Sequence, residues 1–474
     1  MSLNMDRGSV AWRGRLLLAA CLAAGLSAAP VSAQQDGLRI YQEQLRARLD
    51  EQVGQAREIG VDAGGWFDFG FFNYDDASRR MERTLRQYQL RAWGSVNVRG
   101  VHQFYVRGLT GYDDWNSGTG KSYQGDDAVE PQLERAWYQF DSAQLERNRT
   151  GLTPPVRLKV KVGREYATIG TGLVLALPLD MVQTDLTVGR ANWMALLGRT
   201  NPHLPNSIDH SELVAGHQER CIWGTQVSYD LDRHRPFAYF LNNQDDTHPE
   251  PGDADQDYEY TSRYVGVGSE GTIVLPNLRY QTELVGEFGK TYSEGVRAGR
   301  DRICAAAFDA ILQYFFQCAT HPKLGVEYLH ATGDDDRRSS STSTIGGNRP
   351  GTIDHAFNAL GFRDTGIAFS PASSNLNMYN IAASFFPLEK HELFRKMELG
   401  TKTFFYHKSA AGPISDATAS ESSRWLGWEW DIFCNWRLTS DLAWTVRYGA
   451  FQPGEAFDDR SCRNFLFTGV LFSF

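Results

Sequence analysis

The C-terminal stretch from Trp425 to Phe474 constrains the fold most. Trp425-Leu-Gly-Trp-Glu-Trp-Asp431, Leu442 to Phe451 and Asn464 to Phe474 read as three alternating strands, and the chain ends on a phenylalanine. Counting back from Phe474, the residues Phe472, Val470, Thr468 and Leu466 share one face, because successive side chains of a strand point to opposite sides. That face suits lipid. Strands cross a membrane only in a closed barrel, where every backbone donor and acceptor is paired. Outer-membrane barrels end in this way, so a pore is expected rather than a soluble active site.

The other terminus agrees. Arg7, Arg13 and Arg15 precede an apolar run from Leu16 to Leu26, and Val31-Ser32-Ala33 stands before Gln34, the pattern of a cleavable secretory signal over residues 1–33. Leu18-Ala19-Ala20-Cys21 offers a competing lipoprotein reading, but its apolar run is short against the usual h-region of about 7–15 residues. Beyond the signal, no apolar run approaches the roughly 20 residues of a membrane-spanning helix.

A mean hydropathy of -0.42 looks soluble, but a barrel hides its apolar band in alternate positions and averaging erases it. The 45 glycines and 12% aromatic residues are the better clue, since glycine lets strands pack closely and Trp and Tyr favour membrane interfaces. Cysteines 221, 304, 318, 434 and 462 remain after the signal, irregularly spaced, which predicts neither a disulfide framework nor a thiolate metal site. The net charge of -9 argues against a nucleic-acid partner.

Residues 34–60 carry Leu38, Tyr41, Leu45, Leu49, Gln52, Val53 and Ala56 at three- and four-residue spacing, which predicts a short periplasmic amphipathic helix that plugs or braces the barrel entrance, with a self-associating or partner-binding coil as the alternative. From residue 61 to 474 the chain reads as barrel strands. Short joins fall near 98–100, 147–155, 190–191, 232–236, 274–277, 317–322, 387–391 and 439–441. Longer, polar joins fall near 75–82, 114–131, 168–177, 201–218, 246–257, 293–300, 334–375, 409–423 and 453–461. Together they predict an all-β fold, a transmembrane antiparallel barrel of about 18 strands with both termini on the periplasmic side. The Ser-, Gly- and Asp-rich loop at 334–375 reads either as a fold-in constriction or as a solvated surface loop.

Parity separates an apolar from a polar face. Tyr88, Leu90, Ala92, Gly94 and Val96 alternate with Gln87, Gln89, Arg91, Trp93 and Asn97; Tyr280, Leu284 and Phe288 alternate with Arg279, Gln281, Glu283 and Glu287. Collected by parity, the inward set holds Arg91, Arg107, Arg135, Lys159, Lys161, Arg263, Arg279, Lys402, Arg437 and Arg447. Rings of Arg and Lys favour anions. Glu165, Glu283, Glu287, Glu327, Glu398, Glu429 and Asp431 share those faces; acids beside guanidinium groups hold them in place and moderate their affinity. The bland alternative is an ion-pair ladder that only stiffens the wall.

Val162-Gly-Arg-Glu165, Tyr328-Leu-His-Ala-Thr-Gly-Asp-Asp-Asp336, Gly427-x-Glu429-x-Asp431 and Tyr448-Gly-Ala-Phe-Gln-Pro-Gly-Glu-Ala-Phe457, in this order, resemble the alginate export outer-membrane porin family. The resemblance covers roughly 61–474. It implies a monomeric eighteen-stranded barrel whose arginine-rich lumen passes a polyuronate, with an outer loop and a periplasmic turn closing the channel. It also implies lumen positions for Arg164, Glu429, Asp431 and Arg447. Strict alternation puts Arg164 outward unless a bulge at Gly163 flips it.

Other signals are weak. Gly118-Thr-Gly-Lys-Ser122 lacks the first glycine of a phosphate-binding loop. His203, His210 and His217 repeat every seven residues without an evident convergent ligand set, and paired loop aspartates read as solvated, with calcium or lipopolysaccharide bridging as the alternative. No catalytic constellation stands out, so neither an enzyme nor a cofactor is expected. The leading expectation is export of an acidic polysaccharide across the outer membrane of a Gram-negative bacterium, with lipid, lipopolysaccharide and a periplasmic export scaffold as partners. An anion-selective or general uptake porin for small solutes is the alternative, and an open lumen would favour it.

Overall fold

The computed structural model describes residues 58–76, 81–116, 126–200, 219–246, 260–292, 300–337, 340–342 and 348–474. The signal, almost all of the 34–60 segment, the Gly118–Ser122 stretch and the His203–His217 loop lie outside the described residues. Ile59 and Gly60, read as the end of the helical segment, are strand.

In chain order the elements are β1 (Ile59–Asp76), β2 (Met81–Val98), β3 (His102–Trp115), β4 (Asp127–Asp141), α1 (Ser142–Thr150), β5 (Val156–Ile169), β6 (Leu175–Val188), β7 (Ala191–Arg199), β8 (Arg220–Tyr229) and β9 (His234–Asp245). There follow β10 (Thr261–Thr272), β11 (Leu278–Tyr292), β12 (Arg300–Phe315), β13 (Lys323–Ala331), β14 (Leu376–Phe385), β15 (Met397–His407), β16 (Trp425–Arg437), β17 (Leu442–Pro453) and β18 (Arg463–Ser473). Each strand pairs antiparallel with its sequence neighbours, and β1 closes on β18 to complete an 18-stranded barrel. Phe474 finishes the seam by exchanging backbone hydrogen bonds with Gly65. Closure leaves no wall edge to water or lipid, which is what a membrane demands of strands.

Alternation carries the fold. Outward residues such as Val470, Phe472, Leu284, Phe288, Val265 and Val267 are exposed, while their neighbours Arg447, Glu283, Glu287 and Tyr264 are buried inside. The β4–β5 connection, expected as a plain turn, holds α1: Asp141 caps its N-terminus by accepting from the Ala143 and Gln144 amides, and Gly151 ends it at φ 76.

The wall is interrupted at the β5–β6 hairpin. β4 pairs β5 only between Ala136–Asp141 and Lys159–Arg164, and β6 meets β7 only from Asp180 onward, although β5 and β6 stay paired to Ile169 and Leu175. The tip of this hairpin therefore leaves the wall and folds inward. Ile169, Val174 and Leu175 are fully buried and pack in one cluster with Leu196, Ile222, Phe237 and Leu241 of β7 to β9. The brief outer loop expected at 168–177 is instead an inner lining, with the Gly170 amide donating to Gln226 at 2.8 Å and the Thr171 amide to Glu283 at 2.8 Å.

Candidate functional site

Two charged regions face one another inside the barrel. On the β1–β5 side, Arg91 Nε donates to Glu134 at 3.2 Å and its Nη1 to Asp68 at 3.0 Å. Arg107 Nε meets the same Glu134 at 2.6 Å. Arg135 Nη1 and Lys161 Nζ share Glu165 at 3.1 and 3.5 Å. Trp66 lies beneath the Arg91 and Arg107 guanidinium groups, 5.9 and 5.4 Å from its ring centroid. Glu134 reaches the interior through a register shift, because Arg107 faces Arg135 while Gly108 already faces Leu133. That bulge turns two consecutive charged side chains inward. Buried cations need such partners, since stripping one from a buried pair costs about 3–5 kcal/mol.

The opposite side, from β11 to β16, is acidic and holds the β13–β14 loop. Among its described residues, the stretch 354–370 packs into the interior, so the reading of 334–375 as a solvated surface loop is corrected there by its contacts. Cys304 N donates to Asp354 O at 2.9 Å, which joins the loop to β12, and Asp354 in turn binds Arg337 at 2.5 Å. Glu287 accepts the Asn358 amide at 2.8 Å. Glu429 accepts the amides of Ile367, Ala368 and Phe369, the latter two at 2.6 and 2.8 Å. Arg363 donates to Asp309 at 2.7 Å and to the Thr171 carbonyl at 3.1 Å, and Asp364 pairs with Lys402. Ala176 N and Phe362 N tie the loop to the inturned hairpin, at 3.0 and 2.9 Å. Ile367 meanwhile joins a buried cluster with Phe72, Leu85, Trp115 and Phe465. Those residues belong to β1, β2, β3 and β18, across the barrel from Asp309 and Glu287, so the loop crosses the lumen. Gly449 makes room: a Cβ there would lie 2.4 Å from Ile367.

Among the residues singled out from the sequence, Arg91, Arg107, Arg135, Lys161 and Glu165 lie together on β2 to β5. Lys402, Glu429 and Asp431 lie together beneath the loop on β15 and β16. Arg447 is buried on the inner face of β17. Arg437 braces its own turn by donating to the Thr439 and Ser440 carbonyls, each at 3.0 Å. Arg279 stands at the inner mouth, 5.2 Å from the Phe315 ring centroid.

Two residues do not face inward. The β5–β6 register runs unbroken through Gly163, so Arg164 keeps the outward parity of Val162; it binds both oxygens of Asp180 and, at 2.8 Å, the Leu133 carbonyl. Arg263 shares the parity of the exposed Val265 and Val267, and its Nε reaches Asn242 at 3.3 Å. Its inward neighbours are Ser262 and Tyr264, so the arginine stands near the outer end of β10, where a long cationic side chain reaches headgroups. Sequence reasoning missed Asp68, Glu134, Arg363 and Asp364. Glu134 needed the bulge, and the other three make pairs across distant chain segments.

The sequence profile of the alginate export family matches residues 220–469. No curated protein sequence matches the chain. Among solved structures, the Pseudomonas aeruginosa outer membrane protein opdK superposes with a TM-score of 0.51 at 10% identity, over 88% of this chain and 99% of that one. Pseudomonas aeruginosa OccK2 (OpdF) superposes with a TM-score of 0.50 at 13% identity, over 87% and 97%. At such identities the likeness establishes the barrel fold alone.

Proposed function

The chain belongs to the alginate export family of outer-membrane barrels in Gram-negative bacteria, and on that premise we propose that it passively exports an anionic polysaccharide of the polyuronate class. The observation that carries this reading is the group Arg91, Arg107, Arg135 and Lys161, each held by a carboxylate on one side of the interior. Carboxylates of a moving chain exchange from cation to cation there, and the resident acids keep any one contact from trapping it. Lys402, Arg437, Arg447 and Arg279 extend the path toward the inner mouth, with Glu165, Glu429 and Asp431 as moderating acids.

Arg164 and Arg263 have no part in this path. The loop tethered by Glu287, Arg363 and Glu429 closes it from outside, and polymer entering from the periplasm displaces the loop. A lumen-crossing loop supports a narrow, guided path over the open lumen on which the small-solute uptake reading rested. No catalytic step is invoked; the driving force comes from polymer synthesis and the periplasmic partners. The test is ion selectivity in planar bilayers with and without oligouronate: anion preference blocked by the oligomer is expected, and cation preference would overturn the reading.

A further inference from the structure

We propose that the inner third of the β2–β4 wall is a sugar-stacking shelf for the pyranose rings of an acidic polysaccharide, an inference that rests on the export reading above. On three adjacent strands the next inward position below each arginine is aromatic: Arg91 with Trp93, Arg107 with Tyr105, and Arg135 with Trp137. Trp93 and Tyr105 have near-parallel rings, at 18° and 6.0 Å between centroids, and Tyr105 and Trp137 continue the row at 17° and 5.5 Å. Lys161 Nζ stands 4.6 Å from the Trp137 ring centroid.

Core packing does not account for the row. The three rings are half-buried and belong to neither buried apolar cluster of the barrel. Lipid anchoring does not either, since the outer face of the same strands carries its own aromatic set of Phe104 and Tyr138. Glycines flank the ends. Trp93 pairs in register with Gly64, where a Cβ would come within 3.1 Å of its ring, and Trp137 pairs with Gly163 at φ 127. Gln103 and Gln139, bonded to each other at 3.4 Å, supply amides one inward position nearer the periplasm.

A row of cations above a row of rings matches the two groups that a uronic acid offers, a carboxylate at the rim of the ring and a C–H face. The carboxylate meets Arg or Lys, the C–H face of the pyranose meets an aromatic ring, and the hydroxyls meet the amides. A polyanion without pyranose rings would use only the upper row.

The experiment is calorimetric titration of the full chain in detergent with three probes of equal length: a hexa-uronate, a neutral manno-oligosaccharide and an oligoglutamate. Trp93→Ala and Trp137→Ala should weaken both sugars by roughly three- to tenfold, the scale of one aromatic contact, and leave oligoglutamate unchanged. Trp137→Phe should keep most of the sugar affinity, and unchanged heat-modified gel migration certifies that each variant is folded. Wild-type-like sugar affinity in both alanine variants overturns the shelf, as does equal loss of all three probes, or no sugar binding by the wild type. Arg107→Gln separates the two readings: if it spares both anions while the alanine variants still lose both sugars, the anion path fails and the shelf stands.

Discussion

At the residue scale, the interior cations depend on the acids that hold them. Glu134 serves both Arg91 and Arg107, so Glu134→Gln should cost about 3–5 kcal/mol, read as a lower midpoint in denaturant titration of the folded barrel. An unshifted midpoint would mean that water, not Glu134, solvates the two guanidinium groups. Arg107→Gln should lower anion preference, whereas Arg164→Gln should leave the reversal potential unchanged and reduce stability only, because Arg164 lies outside the lumen. A selectivity change in the second variant would return Arg164 to the path. Strict alternation gave the inward side of Arg91, Arg107, Arg135, Lys161 and Arg447 correctly. It failed at Glu134, where a bulge adds a residue, and Arg263 was misplaced because it shares the parity of the exposed Val265 and Val267, while the inward positions beside it are Ser262 and Tyr264.

Elements were legible where turn chemistry marks them and not where they fold back. Gly, Pro and polar clusters set the number of strands, and Asp141 with Gly151 is the capping signature that betrays α1 once a helix is looked for. The inturned β5–β6 tip and the crossing loop were not legible, because their anchors pair residues far apart in sequence, such as Glu429 with the amides of 367–369 and Thr171 with Glu283. Glu429→Gln removes the charge from three amide contacts. Since a hydrogen bond to a charged group contributes about 1.5–3 kcal/mol, loop release should become roughly ten- to a hundredfold more frequent, seen as longer or larger openings in single-channel traces. Identical traces would mean that Arg363 and Asp364 hold the loop without it. Deleting residues 353–370 should open the outer half outright.

At the scale of the whole molecule, interior charge is divided between two sides. The β1–β5 side sets cations between acids, and the β11–β16 side spends its acids, Glu283, Glu287, Asp309 and Glu429, on tethering the loop and hairpin. On the proposed export path the acid-held cations therefore concentrate on one wall, with Lys402, Arg437, Arg447 and Arg279 as further cations on β15, β16, β17 and β11. A closed barrel explains why a chain of mean hydropathy -0.42 is a membrane protein, and why its overall charge of -9 says nothing about its interior. The most direct measurement is the reversal potential of the purified protein in a planar bilayer under a salt gradient, followed by addition of alginate oligomers. Anion preference with oligomer block, both weakened in Arg107→Gln, is the predicted result; cation preference or a large conductance indifferent to the oligomer would contradict it.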